Sequence, residues 1–205
     1  MIFEMRTYLL RPGTVAEAER RFEKALPHRL QFSKLAGFWH TQSGLLNQII
    51  HIWPYESIQH RMTARAEAVK TGEWPPKLRD LLLDMESRIV VPAAFSPPLE
   101  PHNYGRCYEI CIDSHLPGGP DLVAANWNEA ITHRTALSPL VVCGRTEIGP
   151  LNQWIHIWAY EDVADRERVA NILAKDGSWP PAQSCEKLVR QESLLVAPAS
   201  FSALK

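Results

Sequence analysis

The sequence predicts an α+β protein of two tandem ferredoxin-like domains, each a βαββαβ unit with an extra helical segment, which together form an α+β barrel. Three observations predict it. A long segment occurs twice, as Gly-Leu-Leu-Asn-Gln-Ile-Ile-His-Ile-Trp-Pro-Tyr-Glu over 44–56 and as Gly-Pro-Leu-Asn-Gln-Trp-Ile-His-Ile-Trp-Ala-Tyr-Glu over 149–161. His51 thus recurs as His156, so the period is 156 − 51, or 105 residues, and the 205-residue chain holds two units, each large enough for its own core. The order of elements within each unit is strand, helix, strand, strand, helix, strand, which is the split βαβ arrangement with helices on one face of a four-stranded sheet. Finally, each sheet keeps a second face that is aromatic and titratable, too apolar to leave in water, so the two bare faces are expected to pack on each other.

In chain order, Ile2–Leu10 alternates as a strand, with Phe3, Met5 and Leu9 on one side and Glu4, Arg6 and Tyr8 on the other. Pro12-Gly13 turns the chain, and Thr14 with Glu17 forms a capping-box pattern for a helix through Val15, Ala18, Phe22 and Leu26. Pro27 is expected to kink or divide that helix. A strand over about 37–43 leads as a hairpin into the repeated strand. Ser57 caps a second helix, as Asp162 does in the second half, and Gly72 stops it. Pro75-Pro76 suit the entry to another helix running to about Met85, and Ile89–Val91 reads as a short closing strand.

The second half repeats these signals at the same offset: Glu4 and Glu109, Pro12-Gly13 and Pro117-Gly118, His28-Arg29 and His133-Arg134, and Trp74-Pro75-Pro76 and Trp179-Pro180-Pro181. The domains are drawn as 1–95 and 105–205, joined by a Pro-rich linker over 96–104.

Composition excludes several classes. Net charge is −1, with no basic run, so nothing attracts nucleic acid or anionic membrane non-specifically. No apolar stretch approaches the ~20 residues that span a bilayer, so no membrane insertion is expected. The opening residues read as a strand and not as a leader, which makes a cytoplasmic location the default expectation. Cys107 and Cys111 stand ~13 Å apart along one strand face, and Cys143 and Cys185 stand alone, so four free thiols are expected. There is no phosphate loop, no nucleophile elbow and no His/Cys/Asp cluster at metal spacing; no cofactor and no metal are expected.

The candidate chemistry sits on the repeated strand. Ile50, Ile52, Ile155 and Ile157 form the aliphatic side and are assigned to lie under the helices; His51, Trp53 and Tyr55, with His156, Trp158 and Tyr160, are assigned to the barrel interior. His51 and His156 are candidates for acid–base work, since imidazole titrates near working pH, and Tyr55 is grouped with them. Glu4, Arg6, Trp53, Glu109, Trp158 and Tyr160 are the candidate ligand-binding residues. Each also has a plainer role: histidines satisfied inside a packed barrel, tryptophans as core, Glu4 paired with Arg6.

The Pro-Gly turn, the Gly-x-Leu-Asn-Gln-x-Ile-His-Ile-Trp-x-Tyr-Glu strand and the Trp-Pro segment resemble the NIPSNAP family over both halves, residues 1–95 and 105–202. The resemblance implies a dimeric α+β barrel, similar in architecture to antibiotic-biosynthesis monooxygenases, muconolactone isomerases and haem-degrading monooxygenases. Some eukaryotic members of the family are associated with mitochondria and vesicle traffic, and the resemblance carries over no catalytic residues. Cys111 and Asp113 stand where the first half has Arg6 and Tyr8, so any paired site is lopsided.

Two functions follow as expectations. One is a cofactor-independent oxygenase or isomerase acting on a small apolar or aromatic molecule in the barrel, with a haem-degrading role as a variant resting on the histidines. The other is a non-enzymatic binding or interaction protein with a packed barrel. A small-molecule ligand is the expected partner, and a homodimer through sheet edges or helices is the expected self-association. A void lined by His51 and Tyr55 distinguishes the first function from the second.

Overall fold

The computed structural model describes residues 1–205. The first half runs β1 (Ile2–Leu10), α1 (Val15–Leu30), β2 (Gly37–Ser43), β3 (Gln48–Tyr55), α2 (Ile58–Lys70) and β4 (Leu82–Pro92). The second repeats it as β5 (Cys107–His115), α3 (Gly119–Thr135), β6 (Leu140–Ile148), β7 (Gln153–Tyr160), α4 (Val163–Asp176) and β8 (Leu188–Pro198). Each half has the ferredoxin-like strand order, β4-β1-β3-β2 and β8-β5-β7-β6, with the repeated strand internal. The halves do not stack as two separate sheets. β2 pairs with β8 and β4 with β6, so all eight strands close into one continuous antiparallel barrel.

The repeated motif begins with turn chemistry. In both β2–β3 and β6–β7 hairpins a glycine and an asparagine take left-handed backbone: Gly44 (φ +91°) and Asn47 (+59°), then Gly149 (+117°) and Asn152 (+57°). These are the residue types that tolerate positive φ. A threonine hydroxyl closes each hairpin, Thr41 accepting from the Gln48 N–H at 3.1 Å and Thr146 from the Gln153 N–H at 3.2 Å. Ser57 and Asp162 cap α2 and α4 by accepting from the His60 and Asp165 backbone N–H groups.

Three local expectations are corrected. The Thr14 hydroxyl donates to the Arg11 carbonyl and caps nothing, while Glu17 binds Arg20 and Arg21. Pro27 does not divide α1, because it lies in the last turn, where one missing N–H interrupts little. No helix follows Pro75-Pro76: residues 72–81 turn without one, and 82–88 are drawn into β4 by pairing with β1, Tyr8 opposite Met85. The second half keeps only a 3-10 turn there, Ala182–Cys185. All four cysteines are free.

The two faces of the sheet are reversed from the expectation. The barrel interior is filled by the aliphatic set, with Ile50, Ile52, Ile155 and Ile157 packed with Phe3, Met5 and Trp39 in one cluster drawn from both halves. Trp53 and Tyr55 belong instead to a second cluster with Phe22 and Leu26 of α1, and Trp158 and Tyr160 to a third with Val123 and Trp127 of α3. The physical reason is volume. The interior of an eight-stranded barrel accepts only side chains that fill it, which the branched aliphatics do, whereas the histidine–indole pairs, bonded to each other along their own strands, pack outward against the helices. Ile50→Ala is accordingly expected to cost ~2–5 kcal/mol through a cavity inside the barrel. Urea denaturation measures it, and a negligible loss would show that the interior is not packed around this residue.

Candidate functional site

The outward turn of His51, Trp53 and Tyr55 places them on the floor of a cleft between the sheet and the helices of the first half. Its volume is ≈ 680 Å³. Arg6 and Tyr8 of β1 complete the floor. Phe22 and Arg29 of α1, Arg65 and Val69 of α2, and the Trp74–Arg79 segment form the walls, with Leu82 and Met85 of β4 at one side.

The repeated His-x-Trp pair fixes a tautomer. The Trp53 indole N–H donates to His51 Nδ1 at 2.6 Å. Indole nitrogen only donates, so Nδ1 must hold a lone pair and the ring proton sits on Nε2. That Nε2 has no partner in the protein, although the ring is 1% exposed and lines the cleft. Burial, reinforced by the Arg6 guanidinium, pushes the imidazole pKa down to about 3. His51 is therefore a neutral hydrogen-bond donor. Its ring stacks on Phe38, with centroids 5.4 Å apart, and meets the Tyr8 ring edge-on at 5.0 Å.

Cations dominate the surroundings. Glu4 is fully buried and accepts from Arg6 at 2.9 Å, Arg61 at 2.7 Å and the Ser87 hydroxyl at 2.7 Å, with Arg65 at 3.8 Å. Burial raises its pKa, but the Arg61 hydrogen bond and the Arg6 charge outweigh that and bring the carboxyl to about 2. Arg29, 2% exposed, donates to the Tyr55 hydroxyl at 2.8 Å and lies over the Trp53 and Trp74 rings at 4.8 and 5.9 Å. Its Nη1 has no partner. Three guanidiniums thus share one carboxylate, Arg29 adds a fourth cation with no carboxylate of its own, and Lys77 and Arg79 add positive charge to the lining.

The second half shares the framework and lacks the cleft chemistry. Trp158 N–H donates to His156 Nδ1 at 2.8 Å, Arg134 lies 3.8 Å from the Trp158 ring and bonds the Tyr160 hydroxyl, and Glu109 accepts from Arg166, Ser193 and Tyr160. But Trp127 stands at the position of Phe22, and its larger ring packs 4.9 Å from His156 and 4.5 Å from Trp179. Arg65, Lys77 and Arg79 are matched by Ala170, Ala182 and Ser184. His156 Nε2 is also occupied, 3.2 Å from the Asp113 carboxylate that replaces Tyr8. Burial pulls the His156 pKa down, yet Cys111 and Asp113 outweigh it and raise it. The Trp158 N–H opposes a second proton, because it needs the Nδ1 lone pair.

Of the residues singled out in the sequence, Arg6, His51, Trp53 and Tyr55 come together in the cleft. Glu4 does not line it; it anchors the guanidiniums that do. His156, Trp158, Tyr160 and Glu109 form the separate, filled arrangement of the second half. The expectation that both sets line one cavity inside the barrel is corrected: the aliphatic cluster lies between them. Sequence reasoning passed over Phe22, Arg65 and Trp74 as site residues, and noted Arg29 only within a repeated His-Arg pair. The contrast between halves, arginine against alanine at 65/170, lysine against alanine at 77/182 and phenylalanine against tryptophan at 22/127, marks Arg65, Lys77 and Phe22, whereas Arg29 and Trp74 recur as Arg134 and Trp179 and carry no such signal. No group of three His, Cys, Asp or Glu side chains is placed to hold a metal ion, and no helix is long and apolar enough to cross a membrane.

The NIPSNAP family model matches the chain twice, over residues 3–97 and 108–203. The chain is 30% identical over 214 residues to human Protein NipSnap homolog 3B, covering 99% of this chain and 85% of that protein. It is 30% identical over 216 residues to human Protein NipSnap homolog 3A, covering 100% and 86%. Among solved structures, a proposed monooxygenase from Lactobacillus acidophilus superposes with a TM-score of 0.65 at 10% identity, covering 96% of this chain and 93% of that one. A proposed chlorite dismutase gives 0.59 at 12%, covering 98% and 96%. At such identity the likeness is one of fold alone.

Proposed function

We propose, from the premise that the chain belongs to the NIPSNAP family, that its first half binds a small, largely apolar molecule bearing an anionic group in the sheet–helix cleft. Family membership goes with the barrel architecture, and the cleft supplies the ligand chemistry. The observation that carries the reading is the charge imbalance: Arg6, Arg29, Arg65, Lys77 and Arg79 line the cleft among the rings of Phe22, Trp53 and Trp74, and the one carboxylate behind them, Glu4, is shared by Arg6, Arg61 and Arg65. Guanidiniums in an apolar surround gain most from an anion that desolvates with them. His51 with its lowered pKa and Tyr55 with its pKa raised by burial are donors at neutral pH, so they favour binding over base catalysis. An oxygenase or isomerase acting inside the barrel is the competing reading; the open cleft beside His51 and Tyr55 offers it a site, but the packed interior and the neutral His51 do not favour it.

Calorimetric titration with 4-phenylbutyrate and the neutral 4-phenyl-1-butanol tests the proposal. The acid is expected to bind at one site per chain, about tenfold tighter than the alcohol. Arg65→Ala should remove most of that advantage; Arg65 is half in solvent, so the fold should tolerate its loss. Equal affinity for acid and alcohol, or an advantage that survives Arg65→Ala, would overturn the proposal.

A further inference from the structure

We propose that the ligand of this cleft carries a carbonyl oxygen beside its anionic group, making it a 2-oxo acid with an apolar or aromatic body. The inference rests on the reading that the cleft binds an anion, and it adds what the neutral groups require. His51 Nε2–H is a buried donor with no acceptor in the protein, and its tautomer is locked by the Trp53 N–H at Nδ1. The cost of desolvating this donor is already met in the unliganded fold, so a ligand oxygen placed there gains a hydrogen bond that a molecule without one does not.

The anion and the acceptor are placed close together by the sheet. Arg6 and His51 are directly opposed partners on β1 and β3, so their Cβ atoms are about 5 Å apart. Arg6 commits Nε to the Tyr8 hydroxyl and Nη1 to Glu4, leaving Nη2 for a ligand. Arg29 likewise keeps Nη1 unpaired. Adjacent acceptors on one molecule, a carboxylate and a neighbouring oxygen, match this spacing.

A carbonyl fits better than a hydroxyl. The polar lining offers donors: arginines, a lysine and His51 Nε2–H. The lining oxygens of Tyr8 and Tyr55 already accept from Arg6 and Arg29. Glu4 Oε2 lacks a hydrogen bond but does not line the cleft. A ligand hydroxyl would therefore have to turn its proton to its own carboxylate or to the remaining lone pair of a tyrosine oxygen, whereas a carbonyl only accepts and matches the donors as they stand. The walls of Phe22, Trp53 and Trp74 take the apolar body.

The test compares 2-oxo-4-phenylbutyrate, 2-hydroxy-4-phenylbutyrate and 4-phenylbutyrate on the full chain by calorimetry. The oxo acid is expected to bind about tenfold tighter than the plain acid, with the hydroxy acid no better than the plain acid. In His51→Phe, which keeps the stack on Phe38, the gap should close while 4-phenylbutyrate still binds. If that variant does not fold, the imidazole Nε2–H resonance of the wild-type protein decides. It should shift on adding the oxo acid and stay in place with the plain acid. Equal affinity of oxo and plain acids, or a gap that persists in His51→Phe, overturns this inference and leaves the anion cleft standing. Failure of all three acids to bind removes both.

Discussion

Acidification from pH 7 to pH 4.5 is expected to cost this protein about 3 kcal/mol of stability through His51 alone. In the folded chain the ring is held neutral, with its pKa pushed from 6.5 to about 3 by burial and by Arg6. The unfolded chain takes up a proton below about 6.5. The unfolded state therefore binds more protons as pH falls, and the His51 contribution is complete above 6.5 and drains away toward 3. Urea denaturation of the wild type and of His51→Gln at both pH values isolates this residue, because the other titrating groups, His40, His115, His156 and Asp113 among them, are common to both. The stability gap between the two proteins should narrow by about 3 kcal/mol on acidification. A gap independent of pH would mean that the folded ring accepts a proton as readily as the unfolded one, and the neutral-donor assignment would go with it.

Glu4→Ala should be the more damaging single change at neutral pH, costing ~3–5 kcal/mol. The reason is what remains: Arg6 and Arg61, with side chains only 15% and 21% exposed, lose the one carboxylate between them. Glu109→Ala is the internal comparison. Glu109 serves one guanidinium, Arg166, which is 34% exposed and free to turn to water, so its loss should cost clearly less. Thermal or urea unfolding of the two variants measures the difference. Equal losses would show that the cluster around Glu4 is not an ion-pair network of unusual weight. The Glu4 carboxyl, depressed from 4.5 to about 2, stabilises the fold above pH 4.5 and loses that contribution as pH falls toward 2. The difference between Glu4→Ala and the wild type should shrink over that range.

Much of the architecture was legible because it is written twice. The repeat, the Pro-Gly turns and the caps at Ser57 and Asp162 each have a local cause, and local causes survive folding. Which face of β3 turns inward has no local cause. Alternation divides Ile50 and Ile52 from His51 and Trp53 equally well whichever side is the interior. The sequence signal that decides it is spread over both halves: the interior must be filled from eight strands at once, while on the outer face an arginine from the first helix of each half, Arg29 or Arg134, must reach the Trp53–Tyr55 or Trp158–Tyr160 pair. The site residues Arg6, His51, Trp53 and Tyr55 could thus be named from the strand pattern while their location was inverted. Arg65 differs from its counterpart Ala170, but nothing local ties it or Trp74 to His51, because α2 and the Trp-Pro segment meet β3 only in three dimensions.

The edge pairings β2–β8 and β4–β6 have a genetic consequence. When two identical chains close such a barrel, every codon is read into both halves, and a substitution that improves one pocket alters its twin as well. Here each half has its own codons. Arg6 can stay a guanidinium while its counterpart becomes Cys111, and Phe22 can leave room that Trp127 takes up. One half is then free to specialise in recognition while the other serves as a rigid buttress that completes the barrel wall. Fusion converts a symmetric scaffold into one with an inherited left and right.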